Sequence, residues 1–158
     1  MKKRTLSSLA PPGSNVKKEW RGTIIGILAS ALISLLFFQR WQLAVRYSLS
    51  CYEYSVAHNT AFEDPVASFA DLTGGVFAGF WFVIIVMAVM AALHFRLHFA
   101  GSKSIYLLRR LPDKRELVRR TIGMPLLGTA LSLLTAAVLL LLYYLVYKYA
   151  TPAALLPL

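Results

Sequence analysis

The sequence predicts an all-α integral membrane protein with three transmembrane helices, its amino terminus inside and its carboxyl terminus outside. A short amphipathic helix is expected in the cytoplasmic loop. Three observations carry this reading. The 158 residues are 58 % hydrophobic. The apolar residues gather into three long blocks, as they do in a chain whose solvent is lipid. The basic excess sits on two of the four segments outside those blocks.

The first block, Thr23 to Phe38, lies between Trp20 and Trp41, and aromatic residues of this kind mark the two membrane–water interfaces. At 1.5 Å per residue its length matches a bilayer crossing. The second, Gly75 to Phe95, and the third, Ile122 to Tyr147, contain no Asp, Glu, Lys or Arg, and the third ends in Tyr143, Tyr144 and Tyr147. Lipid leaves helix as the conformation open to each, because an unpaired backbone group there costs several kcal/mol, on the order of a lost hydrogen bond or more. The expected division is therefore a basic cytoplasmic segment 1–21, spans 22–41, 75–95 and 122–147, an extracytoplasmic loop 42–74, a basic cytoplasmic loop 96–121 and an outer tail 148–158. Cleavage of the first span as a signal peptide is not expected, since no small-x-small site follows Phe38.

Charge orients the spans. Lys2, Lys3, Arg4, Lys17, Lys18 and Arg21 against Glu19 give residues 1–22 a net +5. Residues 96–121 carry eight cations against Asp113 and Glu116, a net +6, whereas residues 39–74 are at −2. The whole chain is at +10. The positive-inside rule places both basic segments in the cytoplasm. Nucleic acid is not the expected partner, because the cations sit within a turn or two of apolar spans, where they set topology and meet anionic headgroups.

Along the chain, Leu9 to Asn15 breaks the basic head from the first helix. Gln42 to Ser55 reads as helix running out of the membrane or along its surface, and Asn59 to Thr73 as irregular. Small residues recur at i, i+4 inside the spans: Gly22, Gly26, Ser30 and Ser34 on the first, Gly75 and Gly79 on the second, Gly128, Ser132 and Ala136 on the third. That spacing lets helix backbones approach closely. Three helices offer little interior, so partner helices are expected, from other membrane subunits or from self-association.

Several functions are disfavoured. No ionisable side chain falls mid-membrane, where an ion-driven carrier needs one. The tetrapeptide GSKS at 101–104 lacks the upstream glycine of a phosphate-binding loop, so the chain is not expected to hydrolyse nucleotide. His94 and His98, spaced i, i+4 at the inner end of the second span, have a geometry that can hold a metal. No Cys or carboxylate is placed to complete such a site, and they read as interfacial aromatic anchors beside Phe95 and Phe99. No catalytic residue, cofactor or metal is expected, and no enzyme activity. Cys51 is alone and forms no internal disulfide.

The richest segment is SKSIYLLRRLPDKRELVRRTIG, Ser102 to Gly123. From Lys103 to Arg110, Ile105, Tyr106 and Leu108 oppose Lys103, Arg109 and Arg110, a pattern that suits a short helix on a membrane surface or against a protein. Pro112 stops it. Asp113 caps the next helix, with Glu116 three residues on to reach back to its first turn.

This run resembles the segment between the second and third membrane helices of ABC-2-type permeases, the membrane subunits of a class of ABC exporters. Leu111, Pro112, Lys114, Arg115, Glu116, Leu117 and Arg120 match the family's Leu-Pro, polar, Arg-Glu-aliphatic and basic steps. Ile105 to Arg110 corresponds to its coupling helix. The resemblance covers about 45 residues. It implies that Ile105, Tyr106, Leu108, Arg109, Arg110, Leu111, Pro112, Lys114, Arg115 and Glu116 dock on a separate cytoplasmic ATP-binding subunit, in a complex of a bacterial plasma membrane. The family subunit has six spans where this sequence has three, and a tighter first outer loop, so the expected role is that of a half-size or divergent subunit assembled with others. The alternative is an accessory or regulatory membrane protein that holds anionic lipid or a partner through its basic loop, without transport.

The topology has a built-in reporter. In intact cells a membrane-impermeant maleimide is expected to label Cys51 from outside, and labelling that needs permeabilised cells would reverse the orientation.

Overall fold

A computed structural model describes residues 16–62, 65–100 and 114–156. Their regular structure is helical throughout, with no strand among them. Helix α1 covers Val16–Ser34, α2 Leu36–His58, α3 Phe69–Thr73, α4 Ala78–Ala100 and α5 Lys114–Ala150, and a 3-10 turn follows at Ala153–Leu155. Three helical stretches are long and apolar enough to cross a membrane: Lys17–His58, Ala78–Arg96 and Ile122–Ala150. Only 28, 22 and 17 % of their most apolar windows is buried inside the chain, so lipid or other helices must cover the remainder. The chain is a membrane protein.

The helix of the first span continues past residue 41 to His58, in keeping with the helix expected over Gln42 to Ser55. Leu35 keeps helical angles between α1 and α2, and the chain tightens there through bonds from Leu35 N to Leu32 O and from Phe38 N to Leu35 O. The resulting stretch of 42 residues is ~63 Å long at 1.5 Å per residue, against about 40–45 Å for a bilayer with its headgroups. Helix α2 ends at Asn59, whose left-handed φ of 53° is the conformation that closes many helices. The Thr60 amide donates to the Ser55 carbonyl at 2.9 Å.

The segment Asn59 to Thr73, expected to be irregular, contains helix α3. Ser68 explains it: its hydroxyl oxygen accepts from the Asp71 amide at 3.3 Å and its O–H donates to Asp71 Oδ2 at 2.6 Å, a reciprocal cap of the kind that starts helices. Gly75 also departs from expectation. It lies in the turn before α4 with φ +74°, which glycine adopts without steric cost, and it is not part of the packing face that Gly79 begins.

The chain forms two compact units, one of Met1–Leu28 with Phe80–Leu134 and the other of Ala29–Gly79 with Thr135–Leu158. The second is built on aromatic residues. Phe37, fully buried, stacks on Tyr143 with ring centroids 4.7 Å apart and planes 2° apart. Phe38 and Phe69 meet these rings edge-on, the offset and T-shaped geometries that ring quadrupoles favour. Tyr143 Oη is 2.8 Å from Ser34 Oγ. The carboxyl end is fastened by bonds from Val66 N to Leu155 O at 2.9 Å, from Trp41 Nε1 to Thr151 Oγ1 at 3.0 Å and from Tyr147 Oη to the Ala67 carbonyl at 3.2 Å. Arg40 donates to the Gly74 carbonyl at 2.6 Å.

Phe37→Ala is expected to lower stability by about 3–5 kcal/mol, the scale for emptying a buried aromatic site. Tyr143→Phe, which removes one buried hydrogen bond, should cost about 0.6–1.7 kcal/mol. Thermal unfolding of the detergent-solubilised chain reads both, and equal losses would mean that the rings contribute no more than the hydroxyl.

Candidate functional site

The other unit holds the buried histidine, His94, and the buried polar atoms that lack a partner among the described residues. Helix α1 brings Glu19 and Thr23, one turn apart, to a face that meets α4. The Thr23 hydroxyl donates to the Glu19 carbonyl at 2.9 Å, a back-bond to the preceding turn that satisfies a polar side chain in a helix. It also lies 3.9 Å from Met87 Sδ on α4. A methyl group built on Gly128 of α5 would stand 2.8 Å from Met87 Sδ and 3.1 Å from Thr23 Cγ2, and one on Gly26 would stand 3.2 Å from Val83 Cγ2. Glycine at these positions admits the neighbouring side chains.

Two turns along α4 from Met87, His94 faces Glu19. Nε2 lies 3.3 Å from Oε1, and the side chains are 4 % and 19 % exposed. The second atom of each group, Glu19 Oε2 and His94 Nδ1, is buried without a hydrogen-bond partner among the described residues, as is Ser132 Oγ. Buried polar atoms in native proteins are nearly all partnered, and each exception calls for a physical reason. Chemically, the couple offers one imidazole and one carboxylate at the end of two membrane helices. It can act as a hydrogen-bonded clamp between them or as a pair of ligands. Among the described residues, no three His, Cys, Asp or Glu side chains come together.

This couple is what sequence reasoning missed. The histidines were read as lacking a carboxylate, and the acid that comes to His94 lies 75 residues away in the chain. Its signal was Glu19 itself, the one acid in the otherwise basic residues 1–22.

The residues expected to pack helices are distributed as follows. Gly26 and Gly128 make the close approaches above. Gly22 has open space where a side chain would be. In the second unit a methyl on Gly79 would meet Ser30 Oγ at 2.9 Å and Ser30 Cα at 3.1 Å, while Ser34 is buried against Tyr143. Ser132 is fully buried. Of the residues expected to dock a partner, Ile105, Tyr106, Leu108, Arg109, Arg110, Leu111 and Pro112 lie outside the described residues, and Lys114, Arg115 and Glu116 open α5.

A shallow, open depression at the end of α2, about 300 Å³ in volume, is lined by Ser50, Cys51, Tyr54, Ser55, Thr60, Ala61 and Phe62. Its serine hydroxyls are committed to backbone, Ser50 donating to the Tyr47 carbonyl at 2.7 Å and Ser55 to the Tyr52 carbonyl at 2.9 Å. That leaves it poorer in available donors than its lining suggests.

The glycine contacts give a ranking. Gly79→Ala, which presses on backbone, should destabilise by about 1–3 kcal/mol. Gly128→Ala meets the flexible end of Met87 and should cost less, and Gly22→Ala should not destabilise, since alanine favours helix by about 1 kcal/mol over glycine. Thermal unfolding of the three variants checks the order. No protein-family model matches the chain, and neither a curated protein nor a solved structure matches it.

Proposed function

We propose that the chain is a membrane subunit of an ABC-type exporter complex in a bacterial plasma membrane, coupled to a separate cytoplasmic ATPase through residues 103–120. The observation that supports this reading most is the continuity of α5, which runs from Lys114 to Ala150 and so joins the end of the basic loop to the third span in one helix. Its 37 residues are ~55 Å long at 1.5 Å per residue, well beyond the ~30 Å of hydrocarbon. A partner gripping the start of α5 therefore holds a helix that runs into the span with no loop between them, Pro125 being the one point within it where a helical hydrogen bond is lost and bending is favoured. In this reading both basic segments face the cytoplasm and the poorly covered span surfaces meet further membrane subunits or a second copy.

The net +6 of residues 96–121 favours a second reading, an accessory protein whose loop holds anionic lipid. Co-purification with the ATP-binding subunit separates the two. The docking reading expects Leu108→Asp with Arg109→Glu to abolish it, and a charge-preserving scramble of 103–120 to abolish it as well. A partner retained in both variants would sink the docking reading, and function that survives the scramble would leave the lipid-binding one.

A further inference from the structure

We propose that the part of α2 beyond the membrane is a dimerisation surface, which pairs side by side with the same helix of a second copy of this chain. The inference does not rest on the docking reading.

Two hydrogen bonds place that part of the helix. Arg40 donates to the carbonyl of Gly74, shortly before α4, at 2.6 Å, and Trp41 Nε1 donates to Oγ1 of Thr151, directly after α5, at 3.0 Å. Residues 40 and 41 are therefore level with the ends of the other two spans. From Gln42 to His58 the helix runs on for ~25 Å at 1.5 Å per residue. Arg46, Glu53 and His58 along it belong in water, since ionisable side chains are costly in hydrocarbon.

The chain itself covers one face of this projecting helix, where Trp41, Ala44, Ser48, Cys51 and Ser55 are buried or half-buried. A second stripe, Leu43, Tyr47, Ser50, Tyr54 and Ala57, is exposed along its whole length. Leu43 is 62 % exposed, and Tyr47 and Tyr54 are each 64 % exposed. Contiguous apolar surface of this kind in water marks an interaction site. The stripe advances in alternating steps of four and three residues, the period at which two helices pack along their length.

The stripe suits a second copy. Copies inserted in one membrane share an orientation, so their α2 helices emerge parallel, and in a two-fold pair each seam residue meets its own equivalent. From Leu43 to Ala57 the seam holds no charge that would then face itself. Arg40, the next position toward the membrane, is held on Gly74 of its own chain. The neighbouring face, which exposes Leu49 and Val56, would set Arg46 against Arg46 and Glu53 against Glu53, and like charges so placed repel. In the proposed pairing Glu53 and His58 flank the seam at the two positions, one on each helix, that meet across a parallel pair. His58 Nδ1 lies 3.0 Å from the Tyr54 carbonyl, which leaves Nε2 for the partner's Glu53. So short a seam pairs weakly between free peptides, and anchoring both copies in one membrane raises their effective concentration.

The test uses the full chain in the membranes of the expressing cell, with Cys51→Ser, so that one introduced cysteine reports on each position. Under mild oxidation Ser50→Cys, on the seam, is expected to form a disulfide-linked dimer several times faster than Gln42→Cys or Val56→Cys on the neighbouring face. Tyr47→Lys with Tyr54→Lys in the Ser50→Cys chain should abolish that dimer, and far-UV circular dichroism checks that the variant is folded. Glu53→Lys should slow the crosslink, and adding His58→Glu should restore it, a rescue that chance collision does not give. Equal rates at the three positions, a dimer that survives both lysines in a folded chain, no rescue by the charge swap, or a seam cysteine that links a different protein would overturn the pairing.

Discussion

Every backbone N–H and C=O that enters the hydrocarbon layer must find its partner within the chain, because no water is there to take its place. This one constraint makes the three long stretches helical whatever their neighbours do. It also changes what the side chains are for. With lipid on the outside, burying a leucine between helices gains little, and helices associate through close backbone approach and through the few polar groups that need each other.

Both compact units follow this logic with different materials. In the unit that contains Phe37, a stacked aromatic core is pinned by hydroxyl contacts, Ser34 with Tyr143 and Trp41 with Thr151, and the backbone bond between Val66 and Leu155 fastens the carboxyl end to the segment before α3. In the other, glycines at 26 and 128 admit Val83, Met87 and Thr23, and Glu19 meets His94. Among the described residues, the second leaves buried polar atoms unpartnered and the first does not. Structural polar networks are costly when incomplete, so the unit with the unfinished network is where chemistry is to be sought.

Helix length links this architecture to the functional reading. Both the α1–α2 stretch and α5 exceed the thickness of a bilayer core, so each carries helix beyond the lipid. On α5 that excess is the segment next to the basic loop, joined to the span by helix rather than by a flexible connection, with Pro125 inside it. In the proposed reading, a docking loop attached to such a helix would act on the membrane span itself.

Much of this was legible in the residues. Three apolar blocks of spanning length fix three membrane helices, because hydrophobic length is a local property and lipid permits no alternative conformation. The start of a helix at Lys114 was equally local, while its expected cap, Asp113, lies outside the described residues. The Ser68–Asp71 cap of α3 was also local, but its five residues lie in a segment that carries no apolar period. Gly75 was misplaced because the i, i+4 spacing with Gly79 holds only if both are helical, and a positive φ cannot be read from spacing. The approach of Glu19 to His94, the stacking of Phe37 on Tyr143 and the close contact at Gly128 join residues that are distant in sequence. Sequence by itself determined that the chain is helical and crosses a membrane, since the solvent for each block follows from its own composition. Only the tertiary structure decided which carboxylate meets which imidazole, since that depends on the axial register of helices whose faces are apolar nearly all round.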